Sequence, residues 1–276
     1  MRLLLCADMD RTVIPNGSAP EHPAARISFR TFCRRPEITL VYVTGRDRQL
    51  VEEALAAYQL PPPDYAITDV GTKIYRVTQR DWQPLEQWEQ EIDRDWNGRS
   101  GADIARLLGD FTDLQLQEER KQNDHKLSYY LSLRSDPQSL LQCLRQRLAA
   151  AGVAAGLIWS IDEEARVGLL DVLPRRADKL HAITFLAGTL GYPVEEVLFA
   201  GDSGNDLAVL QSAFKTVLVA NAARELKEEA RAAALSRGHE ETLYVARGGV
   251  LGMNGNYCAG VLEGVCHFFP ALCPGT

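Results

Sequence analysis

The sequence predicts an α/β protein with a parallel-sheet core interrupted by an inserted α/β cap domain. Three observations predict it. Short apolar runs alternate with helical stretches at both ends of the chain, the middle changes to strands of alternating polarity, and polar clusters stand where the apolar runs end. A chain of 276 residues accommodates one large domain or a domain carrying a second one inside it.

Leu3-Leu4-Leu5-Cys6-Ala7 is a continuous apolar run, as expected of a strand buried on both faces. A helix is expected over residues 23–34, a second buried strand over 38–43, and a helix over 47–58 with Leu50, Val51, Ala54 and Leu55 on one face. After the breaker Pro61-Pro62-Pro63, Tyr65-Ala66-Ile67 reads as a third strand. Together these describe a Rossmann-like parallel sheet covered on both sides.

The rhythm then changes. Helices are expected near residues 85–95 and 102–108. In the run from Lys126 to Leu133, Leu127, Tyr129, Leu131 and Leu133 share one face while Lys126, Ser128, Tyr130 and Ser132 share the other. That alternation describes an antiparallel sheet with one open face. A helix over 138–150 and strands over 157–161 and 166–172 complete the insertion. The parallel pattern resumes with a helix over 177–190, a strand over 196–200, a short helix, a strand over 216–219, a helix from Ala223 and an apolar helix over 259–268. The core is therefore assigned to 1–80 and 172–276, and the cap to 81–171.

Composition narrows the partners. Hydrophobic residues at 46% and charged residues at 24% are enough for a real core. No apolar run approaches the roughly 20 residues of a membrane span. The first run stops at Asp8, too soon for a signal peptide, so it reads as a buried strand and a cytoplasmic protein is expected. A net charge of −7 with both signs interspersed argues against nucleic acid as a partner. Six cysteines without a C-x-x-C pair are expected as free thiols, and the five histidines fall at no zinc-binding spacing.

Ligands of an open parallel sheet bind beyond the carboxyl ends of its strands. Four polar signals fall there: Asp8-Met9-Asp10-Arg11-Thr12, then Thr44-Gly45-Arg46, then Lys179 at a helix start, then Gly201-Asp202-Ser203-Gly204-Asn205-Asp206. Each has an ordinary reading by itself. Asp8 and Asp10 are turn caps, Thr44 a helix cap for the stretch starting at Asp47, Lys179 a solvated lysine, and the last loop a run of turn formers. Their order and common placement weigh against four coincidences.

This set resembles the haloacid dehalogenase superfamily of phosphohydrolases, over essentially the whole chain. The resemblance implies a phosphatase with Asp8 as nucleophile, Asp10 as general acid and then base, and Mg2+ held by Asp8, the Asp10 main-chain carbonyl and Asp202. Ser203 and Asp206 would support the metal loop, while Thr44, Gly45, Lys179 and Asn205 would bind phosphate. The chemistry fits these residue types, because phosphoryl transfer needs an in-line nucleophile and neutralisation of spread negative charge. One departure is Arg11, where the family usually has Gly or Asn. The loop tolerates that side chain if it points outward.

For the substrate, the chain is similar to sucrose-phosphate phosphatases and their relatives at Asp69-Val70-Gly71-Thr72-Lys73-Ile74-Tyr75, at Gln122-Asn123 with Lys126-Leu127-Ser128-Tyr129, and at Asp171-Val172-Leu173-Pro174. The resemblance implies a small sugar phosphate, sucrose 6-phosphate first, with Lys126, Ser128 and Tyr130 of the cap meeting sugar hydroxyls. Phosphatases for trehalose 6-phosphate or mannosyl-3-phosphoglycerate, and phosphomannomutases, share the core motifs. A non-catalytic phosphoacceptor module is about half as long and lacks a cap. A regulatory relic has no need of Asp8, Asp10, Lys179 and Asp202 together. The glycine-rich segment from Gly248 to Gly255 lacks nucleotide-loop spacing and reads as a connection.

Overall fold

A computed structural model describes residues 1–79, 81–133, 137–162 and 165–275. They form two compact units: Met1–Pro84 with Lys179–Thr276, and Leu85–Asp178. The division lies four and seven residues beyond the boundaries expected at 80 and 171. Two pairings explain the difference. Trp82–Pro84 pairs into the sheet of the first unit, and the last strand of the second unit continues to Pro174.

In chain order the first unit begins with β1 (Leu3–Ala7), α1 (Ala25–Cys33), β2 (Ile38–Val43), α2 (Arg48–Ala57), β3 (Tyr65–Thr68), β4 (Lys73–Val77) and β5 (Trp82–Pro84). The second unit holds α3 (Glu86–Trp96), α4 (Gly101–Leu107), β6 (Gln115–Leu116), β7 (Leu127–Leu131), α5 (Pro137–Ala150), β8 (Ala155–Asp162) and β9 (Val167–Pro174). The chain returns to the first with α6 (Lys179–Leu190), β10 (Val197–Gly201), α7 (Leu207–Leu210), β11 (Lys215–Leu218), α8 (Arg224–Arg237), β12 (Leu243–Val245) and α9 (Cys258–Phe268).

The first sheet runs β12-β11-β10-β1-β2-β3-β4-β5, parallel except for β4 and β5. All five residues of β1 are buried, which is why its sequence is continuously apolar. The core gathers Leu3, Leu5 and Ala7 of β1 with Phe29 and Phe32 of α1 and Val261, Leu262 and Val265 of α9. Helix α2 starts at an Asp47 cap, whose carboxylate accepts the Leu50 N–H at 2.9 Å, so Thr44 does not cap it.

The second unit is an antiparallel sheet, β6-β7-β9-β8, with Leu127, Tyr129 and Leu131 packed among Trp96, Ile104, Leu144, Leu148, Leu170 and Val172. Two details depart from the expected alternation. The strand ends at Leu131, leaving Leu133 45% exposed, and Lys126 and Ser128 on the polar side are themselves buried. Trp82, Trp88 and Trp96 are buried packing residues, and the Trp159 ring lies where a side chain at Gly168 would have to be.

The cysteines correct a further expectation. Cys266 and Cys273 form a disulfide, with Cα atoms 4.4 Å apart, while Cys6, Cys33, Cys143 and Cys258 are free. A single helical turn, Pro270–Leu272, follows α9 and brings the chain back on itself. Among the described residues no helix is long and apolar enough to cross a membrane.

Candidate active site

Strand β1 sits between β10 and β2, so the residues leaving these three strands meet at one edge of the sheet. Asp8 follows β1, Thr44 follows β2 and Asp202 follows β10. The Asp8 N–H continues the ladder by donating to Ala200 O at 2.9 Å. The Met9 carbonyl then accepts from Val13 N at 3.0 Å and Ile14 N at 2.8 Å, turning the chain sharply. An open cavity of about 480 Å³ follows, lined among others by Asp8, Asp10, Thr44, Gly45, Asp202 and Asn205.

Lys179, at the start of α6, reaches this edge with only 5% exposure. Its Nζ donates to Asp8 Oδ1 and Asp206 Oδ1, both at 2.7 Å, and to Asn205 Oδ1 at 3.3 Å. Burial pushes the Asp8 carboxyl up, to about 7, against the pull of Lys179; Asp206 and Asp202 add to the rise. Lys179 is held firmly protonated, because Asp8 and Asp206 outweigh its burial. Burial likewise raises Asp202, to about 6, with Arg11 opposing.

Asp206 spends its other oxygen on the loop, accepting the N–H groups of Asp202 and Ser203 at 3.2 Å each. Asn205 Oδ1 accepts from Ser203 Oγ at 2.8 Å. Thr44 is 1% exposed, and its Oγ1 accepts the Arg46 N–H at 3.1 Å. The loop after β2 is braced from the turn at Asp69-Val70-Gly71: Val70 N donates to Thr44 O at 3.2 Å and Asp69 N to Arg46 O at 2.9 Å. This turn has Asp69 and Val70 in the left-handed region, at φ 52° and 62°, with Gly71 at 98°.

Two arginines complete the site. Arg46 grips Asp10 through both oxygens, Nε–Oδ2 at 2.8 Å and Nη2–Oδ1 at 2.7 Å, and Asn16 Nδ2 donates to Oδ1 at 2.7 Å. Burial works to raise the Asp10 pKa, but these hydrogen bonds prevail and hold it below the usual carboxylate range. Arg11 remains about half exposed but turns its Nε to within 3.0 Å of Asp202 Oδ2. The sequence reading gave neither arginine a role. Charge counting carried the signal, since Asp8, Asp10, Asp202 and Asp206 converge with Lys179 as the one cation assigned to them.

Carboxylate oxygens of Asp8, Asp202 and Asp206 lie within 4.8 Å of one another, a grouping able to hold a metal ion. An all-oxygen donor set suits a hard divalent cation such as Mg2+, so the residues fit. The two oxygens of Asp206 are already committed to Lys179 and to backbone amides, which suits it to support rather than ligation.

In the second unit, Ser128 Oγ donates to Lys121 O at 3.2 Å and to Asp171 Oδ1. Tyr130 is partly exposed, with its hydroxyl 3.0 Å from both carboxylate oxygens of Glu118 and 3.3 Å from Lys121 Nζ. Lys126 is 7% exposed. Ser128 and Tyr130 therefore make polar contacts within that unit, and with Lys126 buried this face is more enclosed than an open strand face.

A family profile described as sucrose-6F-phosphate phosphohydrolase matches residues 1–269. The chain belongs to that family. It is 50% identical over 269 residues to a putative HAD-like hydrolase of Nitrosococcus oceani, covering 98% of this chain and 72% of that protein. It is 31% identical over 233 residues to the mannosylfructose-phosphate phosphatase of Agrobacterium fabrum, covering 81% and 85%. The sucrose-phosphatase of Synechocystis, solved with sucrose and phosphate, superposes with a TM-score of 0.73 at 26% identity, covering 97% of this chain and 98% of that one. The protein is accordingly a phosphoric monoester hydrolase of the haloacid dehalogenase fold, in a family of sugar-phosphate phosphatases.

Proposed function

We propose that the protein hydrolyses sucrose 6-phosphate, or a closely similar phosphorylated disaccharide, through a phosphoaspartate on Asp8. The family match supports the substrate class, and the observation that carries the chemistry is the Asp8 carboxylate at the cavity, with Lys179 at 2.7 Å and Thr44, Gly45 and Asn205 around the same opening. Asp8 attacks phosphorus, the ester oxygen leaves with the bonding pair, and Asp10 gives it a proton. Asp10 then takes a proton from the water that opens the acyl phosphate, returning Asp8 and releasing phosphate. Thr44, the Gly45 amide, Asn205 and Lys179 offer donors to the phosphoryl oxygens.

Asp8, the Asp10 carbonyl and Asp202 would hold Mg2+, which supplies positive charge between an anionic nucleophile and an anionic ester. With Arg46 in place Asp10 is ionised, ready as a base. Donating a proton first requires that grip to loosen, and an incoming phosphate is a competing partner for the guanidinium.

The test is release of inorganic phosphate across sucrose 6-phosphate, mannosylfructose phosphate, trehalose 6-phosphate and mannosyl-3-phosphoglycerate. Wild type with Mg2+ is expected to prefer sucrose 6-phosphate, and Asp8→Asn to release none and trap no phosphoenzyme. Undiminished turnover by Asp8→Asn sinks the covalent route. A clear preference for another ester reassigns the substrate and leaves the chemistry standing.

A further inference from the structure

Arg11 occupies a costly position. Its φ of 56° lies in the left-handed region, which glycine and asparagine enter readily and arginine does not. The peptide is fixed on both sides. Its N–H donates to Asn16 Oδ1 at 2.8 Å, and its carbonyl accepts from Asn221 Nδ2 at 2.7 Å. Asn221 is itself held by the N–H of buried Tyr257, at 2.8 Å to Oδ1. This backbone delivers the half-exposed guanidinium to Asp202, which is 3% exposed.

Asp202 has no uncommitted oxygen. Oδ1 accepts from Thr12 Oγ1 at 3.4 Å, and Oδ2 pairs with Arg11 Nε at 3.0 Å. Asp202 also stands beside Asp8 and Asp206, so its charge needs a counter-ion at close range. Among these carboxylates, Lys179 serves Asp8 and Asp206 while Arg11 serves Asp202.

We propose that Arg11 is a built-in counter-cation of the metal centre, holding Asp202 until a divalent cation takes its place and thereby weakening cation affinity. The inference rests on the Mg2+ reading above. A cation drawing on Asp202 must displace the guanidinium or bear it as a like-charged neighbour, and either opposes binding. Arg11 is thus a positioning residue, acting on the reaction through the ion rather than touching substrate. The same pairing protects the cation-free core, where three carboxylates would otherwise share one lysine.

The experiment is a magnesium titration of the full chain without substrate, by calorimetry and by the shift of the melting midpoint. Wild type, Arg11→Gln and Arg11→Lys are compared. Gln keeps the first part of the stem and the unfavourable backbone preference but removes the charge; Lys keeps the charge. Arg11→Gln is expected to bind Mg2+ roughly three- to tenfold more tightly than wild type, the size of one partly exposed ion pair, while Arg11→Lys stays near wild type. With chelator, Arg11→Gln is expected to melt below wild type. A merely structural arginine lowers melting but does not tighten cation binding. Equal or weaker binding by Arg11→Gln, alongside measurable binding by wild type, overturns the inference alone. No binding by any of the three proteins overturns the cation reading and the inference with it.

Discussion

Replacing Lys179 by Met removes one charge from a deeply enclosed ion network of the first unit. The lysine side chain is 4% exposed, and its partners Asp8 and Asp206 are 7% and 0% exposed. Met retains most of the apolar stem, so little of the loss comes from an empty cavity. Removing one partner of a buried pair costs about 3–5 kcal/mol, because the charge left behind is uncompensated. The pH dependence has a definite sign. The Asp8 pKa is raised by burial to about 7, so in the folded protein Asp8 is largely protonated well below that value and ionised above it. A raised carboxyl contributes stability at low pH that is lost as pH climbs through the folded value. Without Lys179 this loss is larger, since the ammonium was what favoured the ionised form. Urea unfolding of wild type and Lys179→Met, followed by circular dichroism in chelator, is expected to show a deficit of about 3–5 kcal/mol near pH 8 and less than half of that near pH 5.5. A deficit below about 1 kcal/mol near pH 8, or one that does not change with pH, refutes the argument.

Asp10→Asn is expected to slow turnover by about 10²–10⁴-fold, with phosphoenzyme still trapped slowly; unchanged turnover of a poor leaving group removes the acid/base role. Chelation is expected to abolish phosphate release, and added Mg2+ to restore it; full activity after verified metal removal excludes a catalytic cation. Thr44→Ala is expected to impair sugar phosphates and para-nitrophenyl phosphate alike, because it acts on the phosphoryl group shared by both. Lys126→Ala and Ser128→Ala are expected to lower kcat/KM for the preferred sugar phosphate by about 2- to 100-fold, with little effect on para-nitrophenyl phosphate. Equal losses on both esters show that these residues act only through the integrity of their own unit.

Much of the core was legible from residue order. The apolar runs ending at Ala7, Val43 and Ala200 became β1, β2 and β10, because strands buried on both faces leave a continuous local signature. Their polar exits then had to share one sheet edge, so Asp8, Thr44 and Asp202 came together as expected. Strands β4, β5, β6 and β12 were missed; the last three have only two or three residues, which carry no period. The polar side of β7 was read as open. Its alternation is real, but Ser128 is covered by its own hydrogen-bond partners, which alternation does not encode.

What the sequence alone determined is the order of the main core elements, which follows from local pattern, and the acids at their strand exits, while the family followed from the resemblance of those motifs. Only the tertiary structure decided which cation serves which acid. Arg46 meets Asp10 across 36 residues, Lys179 meets Asp8 across 171, and the Asn16 and Asn221 bonds that aim Arg11 at Asp202 come from opposite ends of the chain. The disulfide between Cys266 and Cys273 belongs with these, as it depends on a turn after α9 that no cysteine spacing announces. The physical reason is common to all of them. Hydrophobic period is written residue by residue, whereas a charge chooses its partner by distance in space, which exists only once the chain has folded.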